Sequence, residues 1–230
     1  METFSDIKRF LCVRLLRPLP AECPPMEIDP RHTILTRAMG LFQKFGLRAV
    51  TMDDVSKELA MSKKTLYIYF SNKTDLVDQA VKFLFAHKSK QFIDQASLHE
   101  NAVDELFEVQ RIQEEVLKNY GIRMLFSLRK YHPETYEWMM TARRNMMIEA
   151  TTANLQRGIA QKLYREDLSI KDVALIRYNT MVGIMEDPLL GDDPAPRGAL
   201  LHYSLLLHIR AIASAQGLVY LQEFQQHKTL

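Results

Sequence analysis

Residues 51–70 decide the fold. They include the stretches Thr51-Met52-Asp53-Asp54-Val55 and Leu59-Ala60-Met61-Ser62-Lys63-Lys64-Thr65-Leu66-Tyr67-Ile68-Tyr69-Phe70. Thr51 with Asp54 three residues later is typical of a capping box, and serine is favoured at helix N-caps. We predict one helix that begins at Thr51 and buries Val55, Leu59 and Ala60. A second short helix follows Ser62 and buries Leu66 and Phe70. Two short helices joined by a tight turn are typical of a helix-turn-helix unit.

Helical periodicity continues on both sides of this unit. A preceding helix ends at Gly46 and carries apolar residues at a spacing of three and four, namely Ile34, Leu35, Ala38, Leu41, Phe42 and Phe45. A longer helix opens at Lys73-Thr74-Asp75. Further helices are predicted at 102–119, 122–131, 134–157, 170–186, 195–213 and 217–226, separated by breakers that include Pro133 and Gly158. No segment shows strand alternation, so the predicted fold class is all-α.

Composition excludes several classes of protein. Eight glycines and nine prolines in 230 residues are too few for a fold built of many hairpins. No apolar run approaches the roughly 18 residues that a membrane-spanning helix needs. The histidines lack metal-ligand spacing, and neither a glycine-rich phosphate loop nor a nucleophile elbow is present. We therefore expect a cytoplasmic protein that is not an enzyme, binds no metal or cofactor, and does not insert into a membrane.

Residues 1–30 differ from the rest of the chain. Five prolines lie between positions 18 and 30, and both cysteines, Cys12 and Cys23, lie in the first 25 residues. Because proline cannot continue a helix, we expect a poorly ordered N-terminal extension. Met26 stands immediately before the helical part, and we hypothesise that translation starts there.

The net charge of +2 conceals an asymmetry. Residues 26–90 contain eleven Lys and Arg against seven Asp and Glu, whereas residues 91–230 contain fifteen against eighteen. The basic excess is concentrated on and after the second helix of the helix-turn-helix unit. A basic patch of this kind is the electrostatic signature of nucleic-acid binding.

The segment from Ile34 to Leu76 resembles the N-terminal domain of TetR-family transcriptional regulators, most specifically over residues 62–70. The resemblance implies a three-helix DNA-binding domain followed by a larger helical domain for ligand binding and dimerisation. We accordingly divide the chain into an extension (1–30), a helix-turn-helix domain (31–78) and an effector-binding and dimerisation domain (79–230). Two small departures from the family pattern are Ala60, where glycine is usual, and Lys64, where glycine or proline is common.

Seven residues are candidates for contact with double-stranded DNA. The N-terminal side chains of a recognition helix reach base edges in the major groove, which predicts base contacts by Lys63, Lys64 and Thr65. The resemblance, together with hydroxyl groups and helix N-termini that favour phosphate, predicts backbone contacts by Thr51, Tyr67, Tyr69 and Lys73. Taken singly, adjacent lysines are more often a solvated face and such tyrosines more often core or rim residues. The joint pattern favours DNA.

The resemblance also implies that two late helices pair with their copies in a homodimer. Candidate interface residues on helices 170–186 and 195–213 are Val173, Ile176, Leu201, Leu205 and Ile209. The alternative is that these wide apolar faces form the core of a single chain.

Seven of the twelve methionines lie between residues 124 and 185, together with several aromatic residues. Methionine is adaptable and often lines promiscuous apolar surfaces. Candidate residues for the pocket of an apolar or aromatic effector are Phe126, Trp138, Met147, Tyr178 and Met181, and ordinary core packing is the alternative for each of them. The resemblance thus implies a repressor that binds a palindromic operator and is released by a small molecule. A lipid or small-molecule carrier that uses the basic patch at an anionic surface is the second possibility.

Overall fold

The computed structural model describes residues 29–96, 99–120, 122–191 and 193–227. Within these ranges the chain forms ten α-helices and no strand, which confirms the predicted all-α class. The predicted N-terminal extension, with both cysteines and Met26, lies outside the described residues apart from its last two positions. The helices are α1 (Pro30–Phe45), α2 (Met52–Glu58), α3 (Lys63–Tyr69), α4 (Lys73–Ala96), α5 (Ala102–Tyr120), α6 (Ile122–Tyr131), α7 (Pro133–Ala160), α8 (Ile170–Glu186), α9 (Pro194–Ile212) and α10 (Ala215–His227).

Helix α1 ends as the sequence predicts. Gly46 has a φ of 87°, a left-handed conformation that glycine adopts without steric cost. Four of the predicted apolar positions are buried, but Phe45 is exposed, which corrects its assignment to the buried face. The chain turns away from the core at Gly46, and Lys44 lies over the Phe45 ring at 5.0 Å.

Helix α2 begins with the predicted capping box. The Thr51 side chain accepts a hydrogen bond from the Asp54 backbone N–H, and the Asp54 carboxylate accepts one from the Thr51 backbone N–H. Val55 is buried, but Ala60 is exposed and adopts a φ of 49°, so its predicted burial was wrong. The turn between α2 and α3 requires a left-handed residue at this point, which explains why glycine is usual there.

Helix α3 is short and is held by an N-terminal cap and by one buried face. Ser62 caps it by accepting a hydrogen bond of 3.0 Å from the Thr65 backbone N–H. Leu66 and Phe70 are completely buried, as predicted, in a core that α1 and α2 complete. The opposite face of α3 is therefore held outward.

The helix-turn-helix core continues into the rest of the protein. Val77, Ala80 and Val81 of α4 belong to the same buried cluster as α1–α3, and so does Leu128 of α6, which is only 1% exposed. The predicted boundary after residue 78 falls inside the continuous helix α4. Residues Arg31–Leu230 form one compact unit.

Helices α5–α10 enclose two further apolar clusters. A polar network pins α5 to α7, because the Asn154 amide donates to the Ala102 carbonyl at 2.9 Å and to the Glu105 carboxylate at 2.7 Å. The Tyr164 hydroxyl donates to Asn154 in turn. The fully buried Arg197 donates to backbone carbonyls at the end of α8 and in the loop that follows, and so fixes the entry to α9.

In the described part of the chain, no helix is both long and apolar enough to cross a bilayer.

Gly158 is not the helix breaker that the sequence suggested. Helix α7 continues through it to Ala160, and the ring of Tyr164 lies against the glycine backbone. The position needs a residue without a Cβ because one would overlap the tyrosine ring.

We predict that Gly158→Ala destabilises the protein by about 1–3 kcal/mol, because the buried Tyr164 must move. Gly40→Ala is the matched control, since a Cβ at this exposed α1 position meets nothing, and it should raise stability by roughly 0.5–1 kcal/mol. Urea denaturation of both variants measures the difference. Equal stability of the two would contradict the packing described for Gly158.

Candidate nucleic-acid interface

The outward face of α3 carries the predicted base-reading residues. Lys63 and Lys64 are exposed at its N-terminal turn, and Thr65 is partly buried beside them. Ser62 positions this turn through its cap. The structure therefore brings the three predicted side chains together at the start of one short, rigid helix.

Two of the three have partners within the protein. The Lys63 ammonium pairs with the Asp53 carboxylate at 2.5 Å, and the Thr65 hydroxyl shares a hydrogen bond of 2.8 Å with Ser62. The Lys63 and Asp53 side chains are both more than two-fifths exposed, so this ion pair is weak and easily exchanged. Lys64 is exposed on the same turn.

The four predicted phosphate-contacting residues lie in different environments. Tyr67 is half exposed on the outward face, whereas Tyr69 packs partly against the core. Thr51 is occupied by its cap, because its hydroxyl also donates to Asp54 at 2.7 Å, and this bond contributes most to lowering the Asp54 pKa. The Lys73 ammonium donates to the Arg48 carbonyl at 3.1 Å, and partial burial lowers the pKa of Lys73.

Ile68 is an exposed residue of α3 that was not predicted from the sequence as a DNA contact. It is 75% exposed on α3, one turn after Lys64. Apolar side chains on a recognition helix contact the methyl group of thymine. Its position on the outward face, four residues from Lys64, is the signal that could have identified it.

The junction of α6 and α7 touches the helix-turn-helix unit directly. The Thr135 hydroxyl donates to the Asp78 carboxylate of α4 at 3.0 Å, and Arg48 lies over the Tyr131 ring at 5.7 Å. His132 is buried between them, and its pKa is lowered by burial and by the charge of Lys73. This junction, residues 128–135, therefore links the helical body to Lys73.

The five predicted effector-pocket residues do not gather in one place. Met147, Tyr178 and Met181 pack together in one buried cluster with Val109, Met185 and Leu201. Phe126 and Trp138 lie elsewhere and are substantially exposed, with Trp138 against Phe85 and below Lys82. The structure corrects the grouping, because Trp138 lies two to three turns from Met147 along α7.

A surface cleft of about 380 Å³ lies between α5, α9 and α10. Its walls include the stacked rings of Phe107 and Phe224, together with Asp104, Gln110 and His202. None of the predicted pocket residues lines it. Sequence periodicity gave no sign of this cleft, because the helices that form it are far apart in the chain.

The predicted interface residues divide into two groups. Leu201, Leu205 and Ile209 are completely buried within the protomer, so the structure corrects their assignment to a contact with a second copy. Val173 is partly buried, and Ile176 is 64% exposed. A different set of α9 residues faces outward with Ile176, namely Leu200, Tyr203 and Leu207. The sequence showed that α9 is apolar on more than one side but could not tell its two faces apart.

A basic pair lies along the seam of α8 and α9. Arg177 is 6% exposed and donates to the Ser204 hydroxyl at 3.3 Å. His208 lies one turn further along α9, and its buried Nε2 has no hydrogen-bond partner among the described residues. Burial, reinforced by the charge of Arg177, lowers the pKa of His208 to about 3.

Comparison with known proteins places this geometry in a family. Residues 34–80 match the model of the N-terminal domain of the bacterial regulatory proteins of the TetR family. Residues 34–80 therefore form a TetR-family N-terminal domain. Proteins of that family are transcriptional regulators with a helix-turn-helix domain and a helical C-terminal domain, and they are not enzymes.

Similar regulators are known from bacteria. The chain is 37% identical over 89 residues to YhgD, an uncharacterised helix-turn-helix regulator of Bacillus subtilis, which covers 36% of this chain and 46% of YhgD. It is 26% identical over 78 residues to IcaR of Staphylococcus aureus, the negative transcriptional regulator of the biofilm operon icaADBC, covering 34% of this chain and 42% of IcaR. The match thus spans less than half the length of either relative.

Solved structures share the fold over about four-fifths of this chain. A TetR-family regulator from Agrobacterium tumefaciens superposes with a TM-score of 0.62 at 20% identity, covering 81% of this chain and 99% of that one. A regulator from Saccharomonospora viridis in complex with choline gives 0.60 at 17% identity, covering 76% and 94%. At these identities the likeness concerns the fold alone.

We predict that acid destabilises the protein partly through His208. Its pKa falls from 6.5 in the unfolded chain to about 3 in the folded one, so the unfolded state binds more protons between these values. Stability is therefore fully present above pH 6.5 and is lost as the pH falls towards 3. His208→Leu should flatten the decline in Tm between pH 7 and pH 4.5, whereas replacing the exposed His202 on the same helix should leave it unchanged. A decline as steep in His208→Leu as in the wild type would show that His208 contributes nothing.

Proposed function

We propose that this TetR-family regulator binds a palindromic DNA operator as a homodimer, with α3 in the major groove, and represses transcription until a small molecule releases it. The observation that carries the proposal is the outward face of α3, on which Lys63, Lys64 and Tyr67 lie beside the Ser62 cap. A capped helix with a basic N-terminal turn is the geometry that helix-turn-helix proteins insert into the groove.

The seven candidate residues suit two kinds of DNA contact. Lys63, Lys64 and Thr65 are placed to read base edges, with Ile68 available to a thymine methyl. Thr51, Tyr67, Tyr69 and Lys73 would hold the phosphate backbone, which fixes register without reading sequence. Contact with DNA would require Lys63 to exchange Asp53 for a base, which its exposure permits.

Exposed apolar residues support a homodimer. Ile176, Leu200, Tyr203 and Leu207 form an outward face on α8 and α9. Contiguous exposed apolar patches of this kind often mark interfaces in soluble proteins. A dimer also explains how a single short helix gains specificity, because two copies read half-sites that are one helical turn apart.

Two related proteins support repression and a ligand. IcaR is a negative regulator, and the Saccharomonospora viridis neighbour was crystallised with choline. A ligand that prefers a conformation unsuited to DNA must weaken DNA binding, and DNA must weaken ligand binding by the same factor. The junction of α6 and α7 is the physical route for such coupling here, because Thr135 is bonded to Asp78 of α4.

The proposal is tested by selecting duplexes from a random DNA pool with the full-length chain. We expect a palindromic sequence whose half-site centres are about 34–36 Å apart, with affinity that falls as salt rises. In the selected operator, Lys64→Ala should lower affinity by about 1–3 kcal/mol and relax preference at one base pair in each half-site. Lys171→Ala, an exposed lysine on α8, is the matched control and should bind like the wild type.

Two outcomes would contradict this assignment. One is a pool without enrichment alongside tight binding to vesicles of anionic lipid, which would favour the carrier function. The other is a Lys64→Ala variant that binds the selected operator with wild-type affinity and preference.

We predict that Leu207→Glu converts the homodimer to a monomer, because it places a charge in the exposed apolar face of α9. Val219→Glu on α10 is the matched control, since Val219 is as exposed as Leu207 but lies on another helix. Light scattering coupled to size-exclusion chromatography gives the mass of each variant. A Leu207→Glu variant that remains dimeric would place the interface elsewhere.

A further inference from the structure

Gln113 on α5 is a buried amide whose polar atoms lack partners in the described part of the chain. Its Oε1 and Nε2 are both buried, and neither has a hydrogen-bond partner among the described residues. Gln110, one turn earlier on α5, also has a buried Oε1 without a partner within the described ranges, but it lines the cleft between α5, α9 and α10. A buried polar group without a partner costs roughly 1–3 kcal/mol, so an amide with both polar atoms unpartnered calls for an explanation.

The helical register brings Gln113 close to Arg143. Helices α5 and α7 run antiparallel, with Asn154 bonded to Ala102 and Val109 in the same cluster as Met147. One turn further along α5 is Gln113, and one turn back along α7 is Arg143. The two side chains therefore lie at the same level of the bundle.

Arg143 is partly buried and makes no hydrogen bond with the described residues. Burial lowers its pKa, while Tyr178, Glu186 and Tyr136 are near enough to oppose that effect. The Glu186 carboxylate accepts a hydrogen bond of 3.0 Å from Tyr136, and among the described residues no group accepts one from the Arg143 guanidinium. A guanidinium presents five N–H donors in a planar fork that matches a carboxylate.

The surroundings of these groups are apolar and adaptable. Met147, Met181, Met185 and Tyr178 pack in the adjoining cluster, and Met146 lies against it. Unbranched methionine side chains can shift to make room for a guest. The Arg143 fork and the Gln113 amide beside such walls suit a carboxylate on an apolar body, which would compete with the Glu186 carboxylate for Arg143.

We propose that the interior between α5, α7 and α8 binds an amphipathic monocarboxylate, with its carboxylate held by Arg143 and Gln113 and its apolar body among the methionines. This inference rests on the proposed function, because it names the chemical class of the effector. Three of the predicted pocket residues, Met147, Tyr178 and Met181, would contact the apolar body of this ligand. Arg143 and Gln113, which would hold its carboxylate, were not predicted from the sequence.

The proposal is tested on the full-length protein with two series of ligands. Within each series the apolar body is the same and only the head group changes. The probes are decanoate, decanamide and decylamine at submicellar concentration, and 2-naphthoate with 2-naphthamide as an aromatic pair. Calorimetry should show that at least one carboxylate binds about tenfold more tightly than its amide, and that decylamine does not bind. Arg143→Met should weaken carboxylate binding tenfold or more, and Gln113→Leu should weaken it by a smaller factor.

Arg144→Met is the matched control, because Arg144 is the exposed neighbour of Arg143 on α7, and it should bind the carboxylates normally. Operator binding by each variant shows that it is folded. No response to either carboxylate, an amide or amine that binds as tightly, or full binding by Arg143→Met would each overturn the proposal. Carboxylate binding that leaves operator affinity unchanged would support the site and contradict only the release step of the proposed function.

Discussion

The buried contact of Leu128 with the helix-turn-helix core is the interaction on which the rest of the structure depends. Leu128 belongs to α6, yet it is buried in the cluster whose other buried residues lie between Ile34 and Val81. The core of the helix-turn-helix domain is therefore completed by α4 and by one residue of α6. A shift of α6 or α7 in the body must be transmitted to α4 and to Lys73 at its start, since packed cores are not freely deformable.

Local patterns allowed much of this fold to be predicted from the sequence. The Thr51 capping box, the Ser62 cap and the left-handed Gly46 each depend on a few neighbouring residues, so the sequence specifies them directly. The same local rules misjudged Gly158, because the reason for that glycine is the ring of Tyr164, which packs against it from beyond the helix end. They also misjudged Phe45 and Ala60, where the chain leaves its helix.

The functional surfaces of the body could be predicted only in part, because they depend on how distant helices pack. Periodicity identified α9 as apolar on two sides but could not show that Leu201 faces inward while Leu207 faces outward. Composition identified a methionine-rich region but not Gln113, whose buried amide lacks a partner among the described residues, or Arg143, whose pKa is lowered by burial. A buried polar residue on an otherwise ordinary helix has no local sequence signature.

The dependence of the DNA-binding domain on the body is tested most directly by amide hydrogen exchange in Leu128→Ala, compared with the wild type. We expect protection to fall in α1–α3 as well as in α6, because the cavity opens in a core that both share. Loss of protection confined to α6 and α7, with α1–α3 as protected as in the wild type, would contradict it.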